Sequence, residues 1–232
     1  HRRLVGSEMC IRDSVTTALL LACCIPLAWW LANTGRRART LVTSLSTLPL
    51  VLPPSVLGFY MLLLLGSQSP LAPVFNVFNI NSLAFSFPGL VIASMIYSLP
   101  FVLQPISNAF SCVGRAPLEA AASLRASPLD AFIHVVMPLS RPAIISAAIL
   151  GFAHTMGEFG GILMIGGSIP DETRVLSIAL YEHVEAREYT QAQRLAGIML
   201  AFSFVVLFSV YWFNHRNSCL LYTSDAADES SS

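Results

Sequence analysis

The chain has 232 residues, of which 55% are hydrophobic and 11% are charged. A soluble domain carries about 25% charged residues, so this composition excludes an ordinary water-soluble domain. The formal net charge at pH 7 is zero, and no overall attraction to nucleic acid is therefore expected. The five cysteines have neither the spacing of metal ligands nor that of a disulfide framework.

Five apolar runs are long enough to cross a bilayer as helices. A hydrocarbon core of about 30 Å requires roughly 20 helical residues. The runs are Val15–Asn33, Leu41–Gly66, Pro88–Phe110, Ile144–Gly167 and Leu195–Phe213. They predict an all-α, polytopic membrane helix bundle of about five spans, surrounded by lipid and with little mass outside the membrane.

The two ends of the chain differ in character from its apolar middle. Residues 1–13 and 218–232 do not continue the periodicity beside them, and both resemble translated adaptor sequence at the ends of assembled gene fragments. We therefore expect both segments to be non-native and residues 14–217 to form the transmembrane domain. A native N-terminal helix would then be missing from this sequence.

The placement of arginine predicts the orientation, because cytoplasmic loops of membrane proteins are enriched in basic residues. Arginines lie at positions 36, 37 and 39, within 111–143 and at 216, whereas the loop 67–87 carries no charge. This pattern places residues 34–40, 111–143 and the C-terminus in the cytoplasm and the first residues outside. Five alternating spans satisfy that assignment.

The segment 111–140 is predicted to hold two short helices. Pro117 suits a first helical position, and Glu119 suits the positive end of the helix dipole. Ser127–Asp130 has the pattern of an N-cap, followed by apolar residues at helical spacing up to a stop at Met137-Pro138. The segment is either a hairpin at the membrane surface or a docking element for a cytoplasmic partner.

The same segment resembles the EAA loop of ABC importer permeases. The residues that carry the resemblance are Glu119, Ala120, Ala121, Arg125, Met137 and Pro138. In that family the loop fits a groove of an ATPase subunit, so the resemblance implies a type I ABC importer permease fold. Arg125 stands where the family has glycine, which costs about 1 kcal/mol if the helix ends there in a left-handed residue.

Two further stretches resemble molybdate permeases and indicate the substrate. Leu48–Phe59 is similar to their second span, and Gly157–Gly160 followed by Ile169–Arg174 is similar to a pattern shared with sulfate permeases. The resemblance implies a homodimeric permease of the bacterial inner membrane, with two cytoplasmic ATPase subunits that bind ATP and Mg. It also implies an external binding protein that delivers molybdate or tungstate. A sulfate or thiosulfate importer is the near alternative.

Candidate residues for the translocation path or gate lie where prolines and glycines interrupt the second and fourth runs. Irregular backbone at membrane depth is tolerated only against protein or a water-filled cavity. The candidates are Pro53, Pro54, Ser55, His154, Thr155, Gly157, Glu158, Gly160 and Gly161. Helix N-termini and neutral donors are expected to meet the anion. These donors are Ser55, Thr155 and the amides near Gly160 and Gly161.

Glu158 requires a separate explanation, because an ionised carboxylate would repel a dianion. It could pair with His154, which lies four residues earlier on the same helical face. It could be protonated as a result of burial. It could also accept backbone N–H bonds where the glycines break the helix and so fasten a gate hinge. We favour the last, with His154 or Arg174 as a further partner.

The segment Asp171–Arg194 is mostly acidic and has helical spacing at Val175, Ile178 and Tyr181. It is either a solvated face over the bundle or a part of the outer gate and of the dock for the binding protein.

No Gly-x-x-x-x-Gly-Lys-Ser/Thr phosphate loop occurs in the sequence, so ATP hydrolysis is assigned to a partner and no cofactor is expected on this chain. A transporter driven by an ion gradient would show internal repeats and paired intramembrane acids, and we find neither. A membrane scaffold without transport activity is the remaining alternative.

Overall fold

The computed structural model describes residues 2–67, 69, 70, 73, 82–167, 169 and 175–218, with side chains described from residue 11 to residue 212 of these ranges. The described residues form helices and turns and contain no strand, which confirms the all-α prediction. In chain order the helices are α1 (Arg2–Asn33), α2 (Arg36–Val51), α3 (Pro54–Leu65), α4 (Phe87–Cys112), α5 (Ala116–Ser123), α6 (Pro128–Ala131), a π-helix (Phe132–Val136), α7 (Met137–Gly157), α8 (Gly160–Gly166), α9 (Leu176–Glu185) and α10 (Tyr189–Ser218).

Within the described ranges, four helical segments are long and apolar enough to cross a membrane. They are Ile11–Asn33, Phe87–Cys112, Pro128–Gly157 and Tyr189–Trp212. α2 and α3 pass the same test together, but their axes differ by 111°. The bundle therefore has four spans, or five if the bent pair counts as one, in agreement with the prediction of about five.

The bend between α2 and α3 follows from the prolines of this stretch. Proline has no N–H to donate, and it drives the residue before it towards an extended conformation. Leu52 and Pro53 are both extended, with ψ angles of 139° and 134°, and Pro54 begins α3. The predicted interruption of the second run is confirmed as a sharp change of direction.

α4 is the central helix of the bundle. It packs against α1, α2, α7 and α8, and 61% of its most apolar window is buried, compared with 6% for Tyr189–Trp212 in α10. The largest core cluster lies chiefly where α1 meets α4. Its enclosed members are Leu20, Cys24, Ala28, Leu31, Val102, Leu103, Ile106, Phe110, Val136 and Ala147. The α1 members recur at helical spacing, which gives α1 one buried stripe.

The fourth span differs from the predicted Ile144–Gly167 at both ends. Helix continues from Pro128 through the π-helix to Gly157, so the predicted stop at Met137-Pro138 is wrong. Met137 N–H donates to the carbonyl of Phe132, five residues earlier, and this wider turn accommodates a proline that cannot donate. At the other end the chain leaves the helix at Glu158, and the separate helix α8 begins two residues later.

Both predicted helices of the segment 111–140 are present. Pro117 lies in the first turn of α5. At the start of α6, Ser127 Oγ accepts from Asp130 N–H at 3.2 Å, and the Asp130 carboxylate accepts from Ser127 N–H at 3.3 Å. This reciprocal pair is a capping box, which confirms the predicted helix start.

α5 ends with the left-handed residue that the sequence comparison anticipated. Arg125 has a φ of 60°. Its N–H donates to Ala122 O at 2.9 Å, and Ala126 N–H donates to Ala121 O at 3.1 Å. These two bonds are the Schellman pattern, in which glycine is the usual residue at the position of Arg125.

The expectation that residues 1–13 and 218–232 are non-native stays a prediction. α1 includes residues 2–13, and Arg12 and Asp13 are buried, with Arg12 donating to Thr155 O at 3.2 Å. Residues 219–232 lie outside the described residues.

Candidate functional site

A cleft of about 410 Å³ lies where the break between α2 and α3 faces the end of α7. Its lining residues are Pro49, Leu50, Leu52, Pro54, Tyr97, Phe101, His154, Gly157, Glu158, Phe159 and Gly160. The structure thus brings together candidates from both interrupted runs, which are about a hundred residues apart in the sequence. Among the other candidates, Pro53, Ser55, Thr155 and Gly161 do not line the cleft.

α3 and α8 both begin at this cleft. A Cβ added to Gly160 would lie 3.3 Å from Pro54 Cβ, so the first residues of the two helices are in contact. The first amides of a helix have no acceptor within the helix and carry the positive end of its dipole. At α8, Gly160 contributes such an amide to the lining. At α3, Pro53 and Pro54 have no N–H, and the amides of Val56 and Leu57 donate to Pro53 O. The lining holds no basic side chain that is charged irrespective of pH.

Tyr97 and two glycines hold α3, α4 and α8 close together. The Tyr97 hydroxyl donates to Pro54 O at 2.7 Å. A Cβ on Gly161 would lie 2.0 Å from the Tyr97 hydroxyl oxygen, and a Cβ on Gly58 would lie 3.0 Å from Gly161 Cα. The sequence analysis did not single out Tyr97. The signal for it is a tyrosine inside an apolar run, since a buried phenol needs a hydrogen-bond partner.

Glu158 does not fasten a hinge through its side chain. Both carboxylate oxygens are buried, and neither has a hydrogen-bond partner among the described residues, so the favoured acceptor role is wrong. The backbone is held instead, because Ser177 Oγ donates to Glu158 O at 2.6 Å and Glu158 N–H donates to His154 O at 3.1 Å. Arg174, the other suggested partner, lies outside the described residues.

His154 is held by α4 rather than by Glu158. Its Nδ1 lies 2.9 Å from Ser98 Oγ, and its ring stacks on Phe101 with centroids 4.0 Å apart. Ser98 is fully buried, so the hydrogen bond satisfies a hydroxyl that has no access to solvent. His154 therefore forms part of the cleft wall in a fixed orientation.

The side chains of Thr155 and Ser55 are not part of the cleft lining. Thr155 is fully buried, and its hydroxyl donates to Phe152 O at 2.8 Å, as hydroxyls inside helices often do. Ser55 is exposed in the first turn of α3, beside the cleft but outside its lining. Neither hydroxyl is part of the cleft lining, and their contact with the anion stays a prediction.

The structure confirms the helical spacing predicted for Val175, Ile178 and Tyr181, which lie at α9, after the cleft in the chain. Val175 and Ile178 are buried against Leu90 and Ile162, and the Tyr181 ring packs on Phe159 with centroids 5.0 Å apart. On the outer side, the Tyr181 hydroxyl donates to the Glu185 carboxylate at 2.9 Å, and this bond raises the pKa of Tyr181. One face of α9 thus covers the bundle and the other is solvated. Residues 171–174 lie outside the described residues.

The segment 111–140 has an inner and an outer face. On the inner face, Phe132 packs against Trp29 and Phe110, with centroids 5.0 and 5.8 Å apart, and Ala121 is buried. On the outer face, Glu119, Ala120 and Arg125 are exposed, and Met137 and Pro138 are partly buried at the start of α7. Four large apolar side chains are exposed on this segment, namely Leu124 at 85%, Leu129 at 66%, Leu139 at 59% and Ile133 at 48%.

Comparison with known proteins gives consistent similarities. A family profile described as "Binding-protein-dependent transport system inner membrane component" matches residues 24–218. The chain is 54% identical over 198 residues to the molybdenum transport system permease protein ModB of Azotobacter vinelandii, covering 85% of this chain and 88% of that protein. It is 30% identical over 184 residues to the sulfate transport system permease protein CysT of Escherichia coli, covering 79% and 66% respectively.

Two solved structures share the fold. A chain of a bacterial alginate ABC transporter, crystallised with a periplasmic protein that binds an alginate pentasaccharide, superposes with a TM-score of 0.63 at 17% identity, covering 94% of this chain and 81% of that chain. A chain of an amino acid ABC transporter superposes with a TM-score of 0.57 at 17% identity, covering 93% and 94%.

Proposed function

Since the chain belongs to the inner membrane components of binding-protein-dependent transport systems, we propose that it is the transmembrane subunit of an ATP-driven molybdate importer. The observation that carries the substrate is the 54% identity to a molybdenum permease along nearly its whole length. Sulfate permeases are about 30% identical, as is the molybdenum permease of Haemophilus influenzae, so the substrate proposal depends on the 54% match. Both the family and the apolar helices make the chain a multi-pass membrane protein.

The cleft is the proposed path for the anion. The backbone amide at the start of α8, at Gly160, suits a dianion, and the lining holds no permanently charged cation that would trap the anion. A transport path has to bind weakly enough to release its substrate, so neutral donors are sufficient. We assign substrate contact to the amide of Gly160 and to the walls formed by His154 and Tyr97.

Alternating access would use the two helix breaks that border the cleft. The α2–α3 bend and the extended residues between α7 and α8 lie on facing walls. Movement at either break changes the width of the cleft without disrupting a continuous helix. Such breaks are where discontinuous membrane helices of other transporters form their substrate sites.

The coupling to ATP hydrolysis is proposed to run through α7. The stretch Pro128–Gly157 is helical without interruption and spans about 45 Å at 1.5 Å per residue. It begins in the exposed loop that contains Glu119, Leu124 and Leu129 and ends at the cleft. We propose that a cytoplasmic ATPase subunit docks on this loop, and that an external binding protein docks at the α9 end of a homodimer.

Reconstitution tests the proposal. Proteoliposomes would contain the permease, its ATPase subunit and the external binding protein, and the readout would be uptake of labelled molybdate. We expect uptake that requires ATP and is inhibited more strongly by unlabelled molybdate or tungstate than by sulfate. Uptake by the permease alone would overturn the proposal of an ATP-driven importer. Stronger inhibition by sulfate or thiosulfate than by molybdate would show that one of these anions is the substrate.

A further inference from the structure

We propose that a second, smaller cavity beside Arg39 is an inner binding site for a tetrahedral oxyanion, a proposal that rests on the proposed function. The cavity lies between α1, α2 and α4 and has a volume of about 90 Å³. A single water needs only about 10–15 Å³, so the space admits several waters or one small anion. Its lining residues are Leu31, Arg39, Thr43, Ser46, Leu103, Gln104, Ser107 and Asn108.

The lining has the chemistry of an anion site. It contains one guanidinium, two amides and three hydroxyls, and it contains no carboxylate. Gln104, Ser107 and Asn108 lie three and four residues apart along α4, so they share one helical face. The hydroxyl proton of Ser46 is not available to a ligand, since the hydroxyl donates to Val42 O at 2.7 Å. Arginine combined with neutral donors is the set that binds oxyanions through charge-assisted hydrogen bonds.

Most of the hydrogen-bond donors of the Arg39 guanidinium are available to a ligand. Its Nη2 donates to Ser111 Oγ at 2.9 Å, and it has no carboxylate partner in the part of the chain that the structure describes. A guanidinium carries five N–H donors, so a single hydrogen bond leaves most of them available. Arg36 and Arg37 are exposed on the same turn of α2 and do not line the cavity. They carry the same charge as Arg39 and can therefore serve as controls for its position.

The cavity is the next polar space along α4 from the cleft. Tyr97 and Phe101 line the cleft, whereas Gln104 and Ser107 line the cavity, and α2 contributes to both walls. The six residues from Phe101 to Ser107 correspond to about 9 Å of helix. An anion that leaves the cleft along α4 therefore meets Arg39, at the end that the arginine distribution predicts to be cytoplasmic. A site there would favour movement of the anion out of the cleft, whose lining holds no arginine.

Arg39→Gln tests this site in the complete permease–ATPase complex. The first readout is equilibrium binding of labelled molybdate in the absence of the external binding protein. The second is the rate of ATP-dependent uptake at low molybdate in proteoliposomes that also contain the binding protein. We expect both to fall roughly tenfold or more, the size of one lost charged hydrogen bond. Arg37→Gln should leave both unchanged, and Arg39→Lys should retain most of the binding.

Ser111→Ala separates a binding role from a structural one. It removes the hydrogen-bond partner of Arg39 and keeps the charge, so binding should stay near that of the unaltered protein. The inference is overturned if Arg39→Gln behaves like Arg37→Gln, or if Ser111→Ala weakens binding as much as Arg39→Gln does. If the unaltered complex transports sulfate and not molybdate, the proposal that molybdate is the substrate is wrong. The same variants with labelled sulfate then decide the inner site by the same comparison.

Discussion

Glu158 is an acid enclosed beside a path that we assign to an anion. Its two carboxylate oxygens are buried and make no hydrogen bond to any described residue. A buried ion without a partner is costly, whereas a neutral group of the same shape is tolerated more easily. The negative charge therefore contributes nothing that the structure uses, although the carbonyl of the same residue is fastened by Ser177.

Glu158→Gln should accordingly preserve transport. The amide keeps the size of the side chain and removes the charge, so we expect the uptake rate to stay within about twofold and thermal stability to be equal or higher. Uptake assays and thermal unfolding of the purified complex measure the two quantities. A variant that folds but transports no molybdate would show that the charge itself is required.

Arg125 is strained by its backbone conformation, with a φ of 60° at the end of α5. Arg125→Gly should raise the free energy of unfolding by about 1 kcal/mol, because glycine adopts positive φ without a steric penalty. Thermal or denaturant unfolding in detergent checks this gain. Arg115→Gly is the matched control, since Arg115 has a φ of −88° and its replacement relieves no strain. Equal stability of the two variants would contradict the prediction.

At the scale of elements, the contact between α3 and α8 depends on glycine. A side chain at Gly161 would overlap the Tyr97 hydroxyl, which in turn bonds to the first turn of α3. Even a methyl group therefore has to displace Tyr97 or separate the two helices at the cleft. The glycines of this stretch set how closely the cleft walls approach each other.

Gly161→Ala should destabilise the protein by about 1–3 kcal/mol, the usual penalty of overpacking, and should reduce uptake. Gly197→Ala in α10 is the matched control. No atom lies within 4 Å of the position of its added Cβ, and alanine favours helix over glycine, so this variant should be neutral or slightly stabilising. The comparison uses thermal unfolding together with uptake. Equal melting temperatures for the two variants would contradict the close contact.

At the scale of the whole molecule, α7 connects the two functional regions. It begins beside the exposed outer face of the segment 111–140 and ends at the cleft, and its middle packs against the central helix α4. In the proposed coupling, a displacement at the loop is carried to the cleft by this helix. This arrangement places the proposed ATPase dock and the proposed anion path at opposite ends of one continuous helical stretch.

Glu119→Lys tests the dock. Glu119 is exposed near Leu124, so reversing its charge should leave the fold intact and weaken co-purification of the ATPase subunit. Glu185→Lys, which makes the same change of charge on α9 near the other end of α7, should co-purify normally. Retention of the ATPase subunit by both variants would favour the alternative of a hairpin that lies against the membrane surface.

Much of the architecture is readable from local sequence. The lengths of the apolar runs indicate the spans, because a hydrocarbon core of about 30 Å requires roughly 20 helical residues. The prolines at 53 and 54 locate the bend, and the capping pattern of Ser127–Asp130 locates the start of α6, since each acts on its own backbone. The predicted stop at Met137-Pro138 failed because a π-helix precedes these residues, and its wider turn accommodates a proline that cannot donate a hydrogen bond.

The cleft could not be read in this way, because its contacts join residues far apart in the sequence. Ser98 and His154 are 56 residues apart, and Tyr97 reaches Pro54 across 43 residues. Which of several polar side chains faces the cleft depends on how the helices are rotated against each other. Composition and spacing thus identify a polytopic membrane protein with two interrupted helices, and the resemblance to a known family identifies it as a permease. Only the packing of the helices leaves the Glu158 carboxylate without a hydrogen-bond partner among the described residues. It also directs the Thr155 hydroxyl to the backbone of its own helix and places Arg39 at the wall of a cavity.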